Sequence, residues 1–363
     1  MKKLNCSRSF LLAVALLASA LTFTGCDNKD SDAPSGAYAE DGVFVLNEGN
    51  FRESNASISF YSNSTGQAEQ SIFKKENQGR LLGDVVQDME LVGNRAFIVM
   101  NNSNKIEVVN AATFQSVGVI EGLSAPRYFV ALNNEKGYVT EWFPPKEDWS
   151  YHRGRVSVID LRTYKVVKTI EVDVQPEQLL LAGGNLYVAN AGSPLVHVID
   201  TGSDMVIKTI EVAYGPNSLV LDRNNNLWVL SSGNKDWNAP ASEHTAGALS
   251  KINIANNTVT STITFPDPTA SASKLLINGD KDTLYFLYSG GVHQLSISAS
   301  APSTTPLIDR TFYGLGVDPV TGNIYGADEN SFAGDGTVYI YDPQGNQTGS
   351  FKAGIGPNGF VFN

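Results

Sequence analysis

The strongest constraint on the fold is a short meander of apolar runs that recurs along the chain. Its clearest copy, residues 175–212, contains four runs rich in aliphatic and β-branched residues. Turn-forming residues separate these runs, at Gly183-Gly184-Asn185, Gly192-Ser193-Pro194 and Thr201-Gly202-Ser203. Short apolar runs joined by such turns predict four antiparallel strands connected in sequence order.

The second strand of this meander returns at a fairly regular spacing. Its copies are VFVLNEG (43–49), AFIVMNN (96–102), GYVTEWF (137–143), LYVANAG (186–192), LWVLSSG (227–233), LYFLYSG (284–290) and IYGADEN (324–330). Successive copies lie about 40 to 57 residues apart, which is typical of propeller blades with loops of varying length. Seven copies predict an all-β fold, a seven-bladed β-propeller of four-stranded antiparallel blades.

The N-terminal blade is one strand short in the sequence. Residues 42–73 provide three predicted strands, the last of them at 68–73, but no innermost strand. Residues 356–362 (GPNGFVF) repeat the opening of the fifth blade (GPNSLV, 215–220), so the C-terminal strand is predicted to complete the N-terminal blade. This pairing would close the ring and remove its exposed sheet edges. The other blades are predicted at 84–121, 125–172, 175–212, 215–265, 272–308 and 313–352.

The N-terminus has the features of an exported lipoprotein. Lys2, Lys3 and Arg8 precede an apolar run at 10–23 that is short for a membrane span and typical of a signal peptide. The run ends in FTGC (23–26), which resembles a lipoprotein cleavage box with Phe in place of the usual Leu. We therefore expect a signal peptide at 1–25, a lipidated flexible tether at 26–41 that begins with Cys26, and a propeller at 42–363.

Charge narrows the range of partners. The formal net charge of −11 argues against nucleic acid and against electrostatic binding to anionic lipid, so membrane attachment is expected through the lipid on Cys26 alone. The acidic run after Cys26 resembles the surface-export signal of Bacteroidota lipoproteins, although such runs are often only solvated linkers. The expected location is the outer membrane, at the cell surface, with a periplasmic orientation left open.

Two long insertions follow the second strands of blades three and five, at 142–154 and 232–246. In a propeller these loops lie on the face where the inner strands begin, together with the loops at 50–55 and 328–335. Long loops on a rigid scaffold are common binding sites. The insertions contain the aromatic candidates Trp142, Trp149, Tyr151 and Trp237, with His152 beside them. The alternative is that these side chains fold back onto a neighbouring blade.

The residues that open the inner strands are predicted to surround the mouth of the central channel on the same face. They are Gln87, Arg127, Glu177, Asn217, Lys274, Tyr313 and Asn358, called the axial ring below. Nearly all of them are polar, which favours a binding role. The alternative is that they satisfy turn backbones and one another.

No catalytic motif stands out. There is no G-x-S-x-G nucleophile elbow, no thiol other than Cys26 in the expected mature chain, and the four histidines lack zinc-site spacing. Asp328, Glu329, Asn330 and Asp335 could supply oxygen ligands to Ca²⁺, but a solvated loop is the favoured interpretation. We therefore expect no enzyme activity, no metal site and no cofactor.

Several segments resemble a family of Bacteroidota surface lipoproteins with YncE-like seven-bladed propellers. They are VLNEGNFRESNASISFYS (45–62), LGDVVQDM (82–89), NNSNKIEVVN (101–110), PRYFV (126–130), PEQL (176–179), DPVTGNIYGAD (318–328) and GIGPNGFVFN (354–363). The family includes a surface cobalamin-binding protein that sits over a TonB-dependent corrinoid transporter. The resemblance implies the propeller, and it implies a corrinoid as the transported ligand and such a transporter as the partner.

A corrinoid carries many amides and has apolar edges, so the polar and aromatic residues of the face would suit it. Asn50, Asn101, Asn190, Asn217 and Asn234 could bond the amides, and Trp and Tyr could contact the edges. The remaining candidate ligand-binding residues are Arg127 and Glu177. The alternatives are a module for another nutrient such as a glycan or metal chelate, a protein–protein adaptor, and a lactonase-like or lyase-like propeller enzyme.

Overall fold

The computed structural model describes residues 35–363 apart from 149, 236–239 and 304. These residues form seven small antiparallel sheets, arranged as a seven-bladed β-propeller. Six of the sheets are meanders in which strands adjacent in sequence pair with each other, and the seventh also includes the last strand of the chain. The predicted fold class is therefore confirmed.

The strands follow the predicted repeat in chain order. Blade one contains β1 (Gly42–Asn47), β2 (Ser57–Ser62) and β3 (Gln67–Glu69). Blade two contains β4 (Val86–Val92), β5 (Arg95–Met100), β6 (Lys105–Asn110) and β7 (Ser116–Ile120). Blade three contains β8 (Pro126–Ala131), β9 (Lys136–Glu141), β10 (Arg153–Asp160) and β11 (Lys165–Val174). Blade four contains β12 (Pro176–Ala182), β13 (Asn185–Asn190), β14 (Leu195–Asp200) and β15 (Met205–Glu211), and blade five β16 (Pro216–Leu221), β17 (Asn226–Ser231), β18 (Ala248–Asn253) and β19 (Thr258–Thr264). Blade six contains β20 (Ala272–Ile277), β21 (Thr283–Tyr288) and β22 (Gly291–Ser296), and blade seven β23 (Gly314–Val317), β24 (Ile324–Asp328), β25 (Asp335–Tyr341) and β26 (Gln347–Ile355).

The C-terminal strand closes the ring as the sequence predicts. β27 (Pro357–Phe362) pairs antiparallel with β1 and is the innermost strand of blade one. Phe360 and Phe362 of β27 pack against Tyr325 of blade seven. Blade one is therefore built from strands near both ends of the described chain.

The hydrophobic core is divided among the blade interfaces. Seven clusters of buried side chains are present, one between each pair of neighbouring blades. Strand residues alternate between the two faces of each sheet, so every blade contributes to two clusters. Apolar side chains on both faces of a strand explain why the central strands read as nearly continuous apolar runs.

Two of the predicted strands are wrong. Residues 70–73 do not extend the outer strand of blade one, because Ser71 has a left-handed backbone and a short helix α1 (Ile72–Glu76) follows. Ile72 and Phe73 are buried there between blades one and two. Blade six has three strands, and its fourth is reduced to a single bridge between Val292 and Ile308. Pro302 and Pro306 lie in the segment that would form it, and proline cannot donate a ladder hydrogen bond.

The two ends of the propeller differ in their loops. The inner strands begin at one end, called the top face, which also carries the described residues of the insertions 142–154 and 232–246. Two single-turn 3₁₀ helices, Ala241–Glu243 and Asn330–Phe332, lie in top-face loops. Across the described residues, no helix has the length and apolar character needed to cross a membrane.

Candidate ligand-binding face

A recurring β-bulge turns the first polar residue of the inner strands toward the channel. The pairing register of an inner strand with its neighbour shifts between Val86 and Asp88, between Pro126 and Phe129, and between Pro176 and Leu179. Similar shifts occur in β16, in β20 and where β1 pairs with β27. A bulge adds an unpaired residue and re-aims its side chain. The bulges therefore present the axial-ring residues of these strands to the channel mouth, whereas Tyr313 precedes β23, which pairs without a register shift.

The residue before these strands reinforces the same geometry. Val85, Ala125 and Gln175 have positive φ angles of 58°, 37° and 52°, respectively. Side chains other than glycine seldom adopt this conformation, and it costs of order 1–3 kcal/mol. The backbone carbonyls of all three accept hydrogen bonds from the loop after the second strand. The strand starts are therefore held rigidly at the top face.

The structure brings six of the seven axial-ring residues into one cavity. This mouth cavity has a volume of about 560 Å³ and is lined by Gln87, Arg127, Glu177, Asn217, Lys274 and Tyr313, with Glu48 beside them. The seventh, Asn358, is buried and donates to Glu48 and to the Val86 carbonyl. The predicted ring thus exists, and its members also bond to one another, as the alternative interpretation expects.

Arg127 is the most heavily bonded member of the axial ring. Its Nε and Nη2 donate to the two carboxylate oxygens of Glu177 at 2.9 and 3.1 Å, and its Nη1 donates to Gln87 at 2.6 Å. The guanidinium also lies 4.4 Å from the centre of the Trp142 indole. Burial raises the pKa of Glu177, and Arg127 opposes this rise. Such a bidentate and stacked arginine is a rigid platform.

Trp142 folds back against blade four, as the alternative interpretation allowed. Its indole N–H donates to the Pro176 carbonyl at 2.9 Å, and its ring contacts Tyr151 edge-to-face at 6.3 Å. Tyr151 itself is 40% exposed. Trp142 is therefore a support beneath Arg127 and Tyr151, and Tyr151 is the side chain of this pair that faces solvent.

The two long insertions enclose a second cavity over blade four. This blade-four groove has a volume of about 730 Å³, with Tyr151 on one side, Asn234 and Lys235 on the other, and Gln175 and Tyr214 among the blade-four residues between them. Lys235 Nζ donates to the carbonyls of Thr245 and Pro268, which secures its loop. The groove and the mouth cavity share Ser232 and Ser271 in their linings, so they lie next to each other on the top face.

The loop containing Asn50 lies on the other side of the mouth. Asn50 Nδ2 donates to the Phe332 carbonyl at 3.0 Å, and Asn55 donates back to Asn50. Phe332 packs edge-to-face on Tyr313, whose hydroxyl donates to Glu48 at 2.8 Å. Asn50 therefore joins the loops 50–55 and 328–335 and holds one wall of the mouth.

Several predicted ligand contacts are placed elsewhere. Asn190 is fully buried, so its assignment to the face is wrong. Its amide nitrogen bonds within blade four, including a 2.9 Å contact with His197 Nδ1, and its amide oxygen accepts from the Asp173 N–H of blade three. Asn101 donates to the Pro126 carbonyl and links blades two and three. Asn217 lines the mouth, but its amide donates to the Ala272 carbonyl. His152 lies in a separate cavity of about 640 Å³ with Phe143, Lys146, Arg153 and Glu171.

Three other predictions fall on parts of the chain that the structure does not describe. Trp149, Trp237 and Cys26 lie outside the described residues. The ligand-binding roles of the two tryptophans and the lipidation of Cys26 therefore stay predictions.

Several residues at the face were not singled out from the sequence. They include Glu48, Gln175, Tyr214 and Lys235. Glu48 follows the second strand of blade one, within the LNEGN segment that carries the family resemblance. That position was the available signal, but only the closed ring shows that it meets Tyr313 and Asn358.

Two carboxylates of β4 lie deeper along the inner strands. Asp88 and Glu90 accept hydrogen bonds from the backbone N–H groups of Phe129 and Ala131, both at 2.9 Å. Burial raises the pKa of Asp88 to about 6. Burial, and secondly the charge of Asp88, raise the pKa of Glu90 to about 8. These groups fasten blade two to blade three.

In the described part of the chain, no group of three or more His, Cys, Asp or Glu side chains converges to form a candidate metal site. Asp328, one of the candidate Ca²⁺ ligands, accepts a hydrogen bond from Arg310 at 3.0 Å. The Asn330 backbone N–H also donates to Asp328.

The fold and the site define a propeller with open, polar and partly aromatic cavities on its top face. The chain belongs to the family described as DUF5074, a domain of unknown function, which it matches over residues 41–355. It is also 32% identical over 108 residues to the uncharacterized protein YncE of Salmonella typhi. That match covers 28% of this chain and 27% of the relative, so the curated relative is matched over about a quarter of its length. The chain is thus a β-propeller of this family that is similar to YncE over that segment.

Solved structures share the architecture at low sequence identity. The periplasmic gluconolactonase of Pseudomonas aeruginosa aligns with a TM-score of 0.67 at 12% identity, over 89% of this chain and 98% of that one. A quinoprotein alcohol dehydrogenase-like protein of Bacteroides thetaiotaomicron aligns with a TM-score of 0.66 at 13% identity, over 90% and 78%. At such identities the likeness concerns the fold alone.

Proposed function

We propose that this protein is a lipoprotein of the outer-membrane surface that captures cobalamin or a related corrinoid on its top face. In this proposal Cys26 carries the lipid anchor, and the ligand passes to a TonB-dependent transporter. The observation that carries the capture role is the pair of adjoining cavities on the top face, the mouth cavity and the blade-four groove. The family segments in the sequence supply the ligand class.

The size and chemistry of the two cavities suit a broad ligand that carries amides. Their volumes are about 560 and 730 Å³, within the usual range for small-molecule sites. Tyr151 and Tyr214 offer apolar surface beside hydroxyl groups, and Gln175 and Asn234 are amide side chains that can donate and accept. At roughly 0.3 kcal/mol per ligand atom, about 40 buried atoms would provide the ~12 kcal/mol of nanomolar binding.

The rigidity of the platform favours tight capture. Arg127 is fixed by Glu177, Gln87 and Trp142 before any ligand arrives. A pre-organised site loses little side-chain entropy on binding, and each side chain that needs no ordering saves about 0.5–1.5 kcal/mol. A largely rigid macrocycle on this face would therefore bind with little ordering cost on either side.

Calorimetric titration of the protein with cyanocobalamin tests the capture role. We expect one-to-one binding, weakened at least tenfold by Tyr151→Ala, since a central interface tyrosine contributes about 2 kcal/mol. Asn234→Ala should also weaken binding. Its matched control is Asn224→Ala, an exposed asparagine in the bottom turn of the same blade, which should leave the affinity unchanged.

The outcome of this titration separates the candidate functions. Heat of binding with a glycan or a metal chelate but not with any corrinoid would move the proposal to another nutrient. Silence with all small ligands, together with tight binding of a transporter, would favour the adaptor alternative.

The anchoring part of the proposal has its own test. Growth with a labelled fatty acid should label the wild-type chain and leave Cys26→Ser unlabelled. Protease added to intact cells should degrade the anchored protein if it is exposed at the surface. Protection from the protease would place it in the periplasm instead.

A further inference from the structure

The mouth cavity holds one lysine in an unusual position. Lys274 has a φ of +58° at the bulge of β20, a backbone conformation that costs a lysine free energy. Its Nζ donates to the Asn358 carbonyl at 2.8 Å. An ammonium group has three donors, so two remain for another partner. Burial lowers the pKa of Lys274, and the charge of Glu48 opposes this effect.

A carboxylate lies close to the lysine but forms no ion pair with it. Glu48 lines the same cavity and accepts hydrogen bonds from Asn358 Nδ2 at 2.6 Å and from Tyr313 at 2.8 Å. Lys274 and Glu48 therefore contact the same residue, Asn358, through its backbone and its side chain. In the described part of the chain no ion pair forms between them, because Asn358 and Tyr313 hold the two opposite charges apart.

The other charged groups of the mouth neutralise each other. Arg127 is paired bidentately with Glu177, and its remaining amino group donates to Gln87. Among the described residues that line the mouth, Lys274 and Glu48 are thus the charged groups that are not paired with an opposite charge. Lysine offers only donors and the carboxylate only acceptors.

We propose that Lys274 and Glu48 form a subsite for a neutral group that both accepts and donates, namely a primary carboxamide of the ligand. The amide carbonyl would accept from Lys274, and the amide nitrogen would donate to Glu48. A carboxylate in the same place would be repelled by Glu48, and an ammonium group would be repelled by Lys274. Such a subsite would distinguish an amide from the corresponding acid, because the acid has an oxygen where the amide has its NH₂ group.

This inference rests on the proposed function only in its choice of ligand, since the subsite itself recognises a functional group. Small probes therefore test it directly. Propionamide, propionate and propylammonium can be compared by ligand-observed NMR on the full chain. With at most five heavy atoms each, and a ceiling of about 1.5 kcal/mol per atom, these probes bind in the micromolar range at best. We expect binding of propionamide alone, and its loss in Lys274→Gln.

A matched control is available in the same blade. Lys281 also has a left-handed backbone, with a φ of +53°, and is exposed in the turn at the bottom end. Lys281→Gln should bind propionamide as the wild type does. Circular dichroism of both variants checks that the fold is kept. If propionamide fails to bind the wild type, or binds Lys274→Gln equally well, the subsite is overturned.

Charge rescue provides the second test. Cyanocobalamin derivatives in which one side-chain amide has been hydrolysed to an acid can be titrated by calorimetry. We expect at least one monoacid to bind the wild type about tenfold more weakly than the parent, as for a like-charge contact in a site. Glu48→Gln should recover that loss, because it keeps the shape of the side chain and removes its charge.

The two hypotheses fail in different ways. If cyanocobalamin binds tightly but no monoacid responds to Glu48→Gln, the carboxamide subsite is wrong and corrinoid capture stands. If no corrinoid binds while propionamide binding still depends on Lys274, the subsite stands and the proposed ligand is wrong.

Discussion

Removing Arg127 should destabilise the protein in a pH-dependent way. Arg127→Met deletes two hydrogen bonds to Glu177, of 2.9 and 3.1 Å, and leaves a carboxylate that is only 7% exposed without its cation. Breaking a buried ion pair by removing one partner costs about 3–5 kcal/mol. The Arg127 side chain is 19% exposed, so the lower end of that range, about 3 kcal/mol, is expected.

The sign of the pH dependence follows from the pKa of Glu177. Burial already raises this pKa, and Arg127 opposes the rise, so the variant should raise it further. A carboxyl group with a raised pKa in the folded state costs stability above its unfolded pKa of about 4.3. The cost disappears as the pH falls below that value. The free-energy loss in Arg127→Met should therefore be largest near pH 8 and much smaller near pH 4.

Denaturant unfolding followed by circular dichroism at these two pH values measures the effect. The double variant Arg127→Met/Glu177→Gln should recover most of the loss at pH 8, since no uncompensated charge remains. Arg162→Met, which removes an exposed arginine paired with Asp160, should leave stability unchanged. A loss of equal size at both pH values, or a double variant as unstable as Arg127→Met, would refute the role given to the buried charge.

Two further predictions concern other parts of the fold. Because the pKa of Glu90 is raised to about 8, the wild type should lose stability as the pH rises from about 4.3 toward 8. Glu90→Gln should flatten this pH dependence and should be more stable than the wild type in thermal unfolding at pH 9. An unchanged dependence of stability on pH would contradict the burial of Glu90. Tyr38 is 1% exposed and packs between Phe60 and Phe114, so Tyr38→Ala should cost about 3–5 kcal/mol in denaturant unfolding. Tyr38→Phe should cost far less, since it removes only the hydroxyl that donates to Glu76 at 3.1 Å. Equal losses of stability in the Ala and Phe variants would contradict the role given to ring packing.

The repeat could be predicted from sequence because it depends on local order. Strand alternation and turn chemistry act over a few residues, and their recurrence along the chain indicates the number of blades. Closure by the C-terminal strand was also predictable, because 356–362 repeats the opening of blade five and only a ring uses such an extra strand. The positions of the axial ring follow from the same repeat.

The failures concern positions where packing overrides pattern. Residues 70–73 look like a strand, but Ile72 and Phe73 are drawn into the core between two blades as part of α1. The fourth strand of blade six was predicted from spacing, whereas Pro302 and Pro306 leave only the bridge at Ile308. In both places the expected hydrogen bonds between strands do not form. Core packing replaces them at residues 70–73, and the prolines prevent them in blade six.

The sequence by itself thus determined the architecture, the closure and the face on which the polar residues gather. Only the tertiary structure decided which of them meet. Arg127 and Glu177 are 50 residues apart in the chain, and Tyr313 and Glu48 are 265 apart. Asn190 and Asn217 look alike in sequence, yet one is enclosed in a blade and the other lines the mouth. Contacts across the channel depend on the closed ring, which no local pattern encodes.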